Sequence, residues 1–102
     1  PSISIIEDLL NLGAKINAFD PKASKEAEKI FGDRIKIFKD SYETLKNASA
    51  LIIVTEWGEF RTPDFDRIKK LLKNPVIFDG RNIYNKDKLN SLGFKYFCIG
   101  RI

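Results

Sequence analysis

The sequence has no histidine and no methionine, one cysteine, one tryptophan and four prolines in 102 residues. Without histidine, a histidine-ligated zinc site, a Ser-His-Asp triad or a Cys-His dyad cannot be assembled from this chain. No metal site is expected. The single cysteine, Cys98, excludes an internal disulfide and suits a reducing compartment, so a cytoplasmic location is expected. No apolar run approaches the ~20 residues of a membrane-spanning helix, and no membrane partner is expected. The N-terminal PSISIIEDLL carries acids early and lacks the basic start of a signal peptide.

What is present describes an ordinary globular domain. Hydrophobic residues make up 43% of the chain and charged residues 31%, enough for a core and a solvated surface. The length supports one domain, residues 1–102. The net charge of +4 is a weak pointer to nucleic acid. Its densest group, RIKKLLK at Arg67–Lys73, lies on a helical pattern with an apolar opposite face and reads as a solvated helix surface. No RNA-reading or helix-turn-helix motif accompanies it.

Periodicity gives a regular order of elements. Ser4 and Glu7 have capping-box spacing before Ile6, Leu9 and Leu10, and Gly13 is placed to end that helix. Asp20-Pro21 opens a second helix with an apolar face of Ala23, Ala27, Ile30 and Phe31. Asp40 or Ser41 caps a short third one that buries Tyr42 and Leu45. Thr62-Pro63 starts a fourth, with Phe65, Ile68, Leu71 and Leu72 inward, and Asn85 caps a fifth that ends before Gly93. Between them lie the strands KINAF (15–19), RIKIF (34–38), ALIIVT (50–55), VIF (76–78) and KYFCI (95–99). The run ALIIVT is continuously apolar, as in a strand covered on both faces.

Strands alternating with helices predict an α/β fold: a Rossmann-like doubly wound parallel sheet of about five strands with helices on both faces. The order begins with a helix, so the first strand of such a sheet is expected to be lacking. The strands at Lys15 and Ala50 would then flank a gap, and the chain would be a fragment of a longer protein.

In such sheets ligands bind beyond the carboxyl ends of the strands. Asp20 stands at one such end. An acid there can bond a dinucleotide ribose, but the sequence has no GxGxxG loop, and plain helix-start chemistry is favoured. Glu56-Trp57-Gly58 follows ALIIVT, where Trp57 can line a site wall or an interface and Glu56 can orient a basic neighbour. Asp79-Gly80-Arg81-Asn82 follows VIF. Gly80 allows positive φ and close backbone approach, and Arg81 offers a planar fork matched to phosphate or carboxylate. A simple turn closed by an Asp79–Arg81 ion pair accounts for the same residues equally well. Cys98, between Phe97 and Ile99, reads as an inert buried thiol.

The segments VTEWGEFRTPDF, PVIFDGRNIY and LNSLGFKYFCIGR, with GAKI and FDPKA upstream, resemble the C-terminal UDP-binding domain of the UDP-glucose 6-dehydrogenases. The resemblance spans essentially the whole chain. It implies a UDP-sugar-binding domain of an enzyme that oxidises UDP-glucose to UDP-glucuronate with two NAD⁺. It implies that Arg81 contacts the UDP-sugar, with Gly80, Asn82, Glu56 and Trp57 at the site wall or an interface. It places no catalytic residue in this chain: the reacting cysteine and the NAD-binding glycine loop belong to upstream domains of the same protein, and Cys98 matches neither. It also implies a homodimer or larger assembly. The alternatives are the same domain of a related nucleotide-sugar dehydrogenase and a non-enzymatic Rossmann-like interaction module.

Overall fold

A computed structural model of the chain describes residues 2–55 and 58–98. The contacts divide it into two compact units, Pro1–Thr44 and Leu45–Ile102. The first contains α1 (Ser2–Asn11), β1 (Ile16–Ala18), α2 (Ser24–Phe31), a 3₁₀ turn (Gly32–Arg34) and β2 (Ile35–Ile37), and α3 (Ser41–Leu45) closes it. The second contains β3 (Leu51–Ile53), a 3₁₀ turn (Gly58–Phe60), α4 (Phe65–Leu71), β4 (Val76–Asp79), α5 (Lys86–Ser91) and β5 (Lys95–Cys98).

All five expected strands form, and every pairing among them is parallel. The pairings fall into two sheets, β1-β2 and β3-β4-β5. The α/β alternation with parallel strands holds within each unit.

In the first unit, α1 ends in a Schellman motif. The Gly13 N–H reaches Leu10 O and the Ala14 N–H reaches Leu9 O, both at 3.0 Å, with Gly13 at φ 88°. The capping box does not form. Ser4 lies inside α1, and Glu7 instead takes a two-pronged ion pair from Arg34, at 2.9 and 3.2 Å. α2 begins at Ser24, later than Pro21 suggested, because the Asp20 carboxylate holds a separate turn. Its Oδ1 accepts from Lys22 N and Ala23 N, each at 2.9 Å. Asp40 caps α3 through Glu43 N at 2.8 Å, as one of the two expected caps would.

In the second unit, Asp64 rather than Thr62-Pro63 starts α4, accepting from Arg67 N at 3.1 Å. A side-chain oxygen satisfies an orphan helix N–H, which a proline alone cannot do. Asn85 caps α5 as expected, through Lys88 N at 2.9 Å, and α5 ends in a second Schellman motif at Gly93 (φ 93°). α5 packs on β5. The core collects Ile53, Ile68, Leu72, Ile77, Leu89, Phe94 and Tyr96. Ile77 and Leu89 are wholly buried, each worth about 1.5–3 kcal/mol of transfer free energy.

The sheet register sorts its two faces. Ile53, Ile77, Asp79 and Tyr96 point inward, while the in-register row Ile52, Phe78 and Phe97 stays 41–51% exposed. β3 is therefore not covered on both faces, because the buried helix side chains of this unit serve the inward face. Phe78 and Phe97 stack on each other at 5.0 Å between ring centres, which shields part of that row. Cys98 is half-buried at the end of β5, not sealed in the core as expected, because β5 is an edge strand of its sheet.

Candidate functional site at the carboxyl ends of β3 and β4

The strand alternation that buries Ile77 also turns Asp79 inward. Asp79 is 1% exposed, and an unpartnered carboxylate there would be expensive. Its two oxygens accept four hydrogen bonds. Oδ1 takes the Arg81 N–H at 3.0 Å. Oδ2 takes the Ile83 N–H at 2.8 Å, the Tyr84 N–H at 3.0 Å and the Tyr96 hydroxyl at 2.7 Å. A carboxylate offers about four lone-pair sites, two on each oxygen; the three donors on Oδ2 use its share fully, and Oδ1 takes one. Asp79 thus folds the loop that follows β4 by gathering its backbone donors.

That result answers the question posed by Asp-Gly-Arg-Asn. The turn is real, but Asp79 makes it with the Arg81 backbone N–H, and the Arg81 side chain stands exposed on the loop. The left-handed backbone expected at Gly80 falls instead on Asn82, at φ 56°. Asparagine tolerates that region better than other side chains, which explains its presence there. Gly80 continues the ladder, its N–H donating to Ile53 O at 2.8 Å, so it holds the ends of β3 and β4 together.

A second tie joins the same two strand ends. Tyr84, buried at the end of the loop, donates its hydroxyl to Phe60 O in the 3₁₀ turn after β3. Its ring meets Phe65 edge-on at 5.1 Å and lies 6.5 Å from the ring of Tyr96. The loop bearing Arg81 and the turn beyond Glu56-Trp57 are thereby brought to one edge of the sheet. Glu56 and Trp57 themselves lie outside the described residues. Arg81, Asn82 and Gly80 are adjacent at this edge.

Asp20, in the first unit, is engaged with its own turn. Among the described residues no group of three or more metal-ligating side chains occurs. No helix among them is long and apolar enough to cross a membrane. The basic face of α4 is solvated as expected, and Lys69 is used structurally, donating to Leu92 O at 3.0 Å.

The sequence reading missed Tyr84 and Tyr96. The signal was available: Tyr96 alternates with exposed Lys95 and Phe97, so it faces the core beside Ile77 and needs a partner for its hydroxyl. A buried acid two residues further along the neighbouring strand, on the same face, is that partner.

Residues 1–86 match the UDP binding domain of the UDP-glucose/GDP-mannose dehydrogenase family. The UDP-glucose 6-dehydrogenase of Rhizobium meliloti is 42% identical over 99% of this chain and 23% of its own length. UDP-glucose 6-dehydrogenase TuaD of Bacillus subtilis is 38% identical over 99% of this chain and 22% of its own length. Among solved structures, NDP-N-acetyl-D-galactosaminuronic acid dehydrogenase from Methanosarcina mazei superposes with a TM-score of 0.79 at 28% identity, covering 99% of this chain and 20% of that one. The chain spans less than a quarter of the length of each of these relatives. With nearly the whole chain aligned and its α/β alternation intact, it belongs to the UDP-glucose/GDP-mannose dehydrogenase family, in the part that forms the UDP binding domain.

Proposed function

We propose that residues 1–102 act together as the UDP-sugar-binding domain of an NAD-dependent UDP-glucose 6-dehydrogenase, and that Arg81 holds the diphosphate of the substrate. The observation that carries this reading is the placement of Arg81: exposed, at the carboxyl end of the central strand of its sheet, on a loop whose backbone is fixed by a buried carboxylate. A guanidinium so mounted can make two parallel charge-assisted hydrogen bonds to phosphate oxygens. Gly80 and Asn82 shape the loop around it, and Glu56 and Trp57 are assigned to the site wall or an interface.

The overall reaction is UDP-glucose, two NAD⁺ and water to UDP-glucuronate and two NADH. This chain's share is binding. The diphosphate and uridine lie far from the carbon that is oxidised, so their binding energy positions the sugar for chemistry carried by other domains. The residues here do not fit the dinucleotide. The sequence has no glycine-rich loop, and the acid at the end of β1, Asp20, is engaged in capping its own turn. NAD binding therefore belongs to upstream domains of the same protein. A cytoplasmic location and a homodimer or larger assembly complete the proposal.

Calorimetry with UDP-glucuronate on the full natural chain tests it. Arg81→Ala should weaken binding by about 1.5–3 kcal/mol, the range of a hydrogen bond to a charged group. Unchanged affinity would remove Arg81 from the site. The second reading, a related nucleotide-sugar dehydrogenase, is favoured by the superposition on an enzyme of N-acetylated sugars. Tighter binding of a UDP-N-acetylhexosamine than of UDP-glucose in the same experiment would decide for it.

A further inference from the structure

We infer that Tyr96, acting through Asp79, is a positioning residue for Arg81. The inference rests on the reading that Arg81 binds a nucleoside diphosphate, and it adds a residue from a different strand to that function. Tyr96 lies on β5, buried at 5% exposure, and its hydroxyl is 2.7 Å from Asp79 Oδ2 and 3.1 Å from Tyr84 O. A hydroxyl has one proton, and the shorter, charge-assisted contact claims it for the carboxylate. The same carboxylate holds the backbone of Arg81 through its other oxygen.

The consequence is mechanical. Three N–H groups pull on the carboxylate from the loop, and among the described residues the Tyr96 hydroxyl is the one donor that reaches it from a neighbouring strand. It pins Oδ2 to the sheet, so Oδ1 points at Arg81 N and the base of the arginine is fixed before any ligand arrives. A preorganised donor loses less conformational freedom on binding, and that difference appears as affinity. Removing the hydroxyl leaves the ring and its packing but frees the carboxylate to follow the loop.

A double-mutant cycle in the full natural chain, with UDP as the calorimetric ligand, tests this. Tyr96→Phe should weaken UDP binding by about three- to ten-fold, the equivalent of one hydrogen bond. In an Arg81→Ala background the same substitution should change affinity by less than about 1.5-fold, because the group it positions is gone. If Arg81→Ala leaves UDP affinity unaltered, the reading of Arg81 itself fails and the inference falls with it. If Arg81→Ala weakens binding but Tyr96→Phe does not, or acts equally in both backgrounds, the arginine assignment survives and the positioning role is overturned. Amide hydrogen exchange on the unsubstituted protein gives a measurement independent of any variant's folding. Arg81, Ile83 and Tyr84 N–H should be protected without UDP, and protection that appears only on adding UDP refutes preorganisation.

Discussion

Asp79→Asn is the sharpest perturbation of this fold, because it keeps the shape of the side chain and changes only its acceptors. In its better orientation the amide places its oxygen at the Oδ2 position, facing Ile83 N, Tyr84 N and Tyr96 OH. Its NH₂ then faces the Arg81 N–H, donor against donor. One hydrogen bond is lost with its N–H left poorly satisfied, at about 1–3 kcal/mol, and three others fall from charge-assisted to neutral strength, at roughly 0.5–1 kcal/mol each. Relief from burying a charge offsets part of this, leaving a net loss of about 2–4 kcal/mol. That is a large fraction of the 5–15 kcal/mol by which a domain is ordinarily stable. Urea denaturation followed by far-ultraviolet circular dichroism measures it. A loss below about 1 kcal/mol would refute the account of Asp79 as the organiser of the loop, since it would mean water satisfies those N–H groups equally well.

Two further outcomes follow from the same physics. Gly93→Ala should cost about 1–2 kcal/mol in the same denaturation assay, because φ is 93° and the added methyl would meet Lys69 Nζ, which caps α5 through Leu92 O. Glu7→Ala should cost only about 0.2–1 kcal/mol and should lose even that in 1 M salt, as the Arg34–Glu7 pair is 48% and 37% exposed.

The sequence reading succeeded wherever the deciding interaction is local. Gly13 and Gly93 ended their helices as expected, since a left-handed C′ residue is set within one turn of chain. Asp40 and Asn85 capped as expected, each bonding an N–H three residues on. It failed where two local solutions compete and the context selects one. Ser4-Glu7 had the spacing of a cap, but Arg34, far along the chain, offered Glu7 a charged partner. Thr62-Pro63 looked like a helix start, but Asp64 was also a cap, and it is Asp64 that bonds the open N–H.

The division at the candidate site is the same. By itself the sequence determined the α/β alternation, the parallel strands and the position of Asp79-Gly80-Arg81-Asn82 at a strand's carboxyl end, because hydrophobic period and turn chemistry are properties of neighbouring residues. Whether Asp79 pairs with the guanidinium or gathers the backbone could not be read there. That was decided by the parallel register of β4 and β5, which buries Asp79 and sets Tyr96 in reach of it. A buried carboxylate must collect every donor within reach, and only the tertiary structure specifies which donors those are.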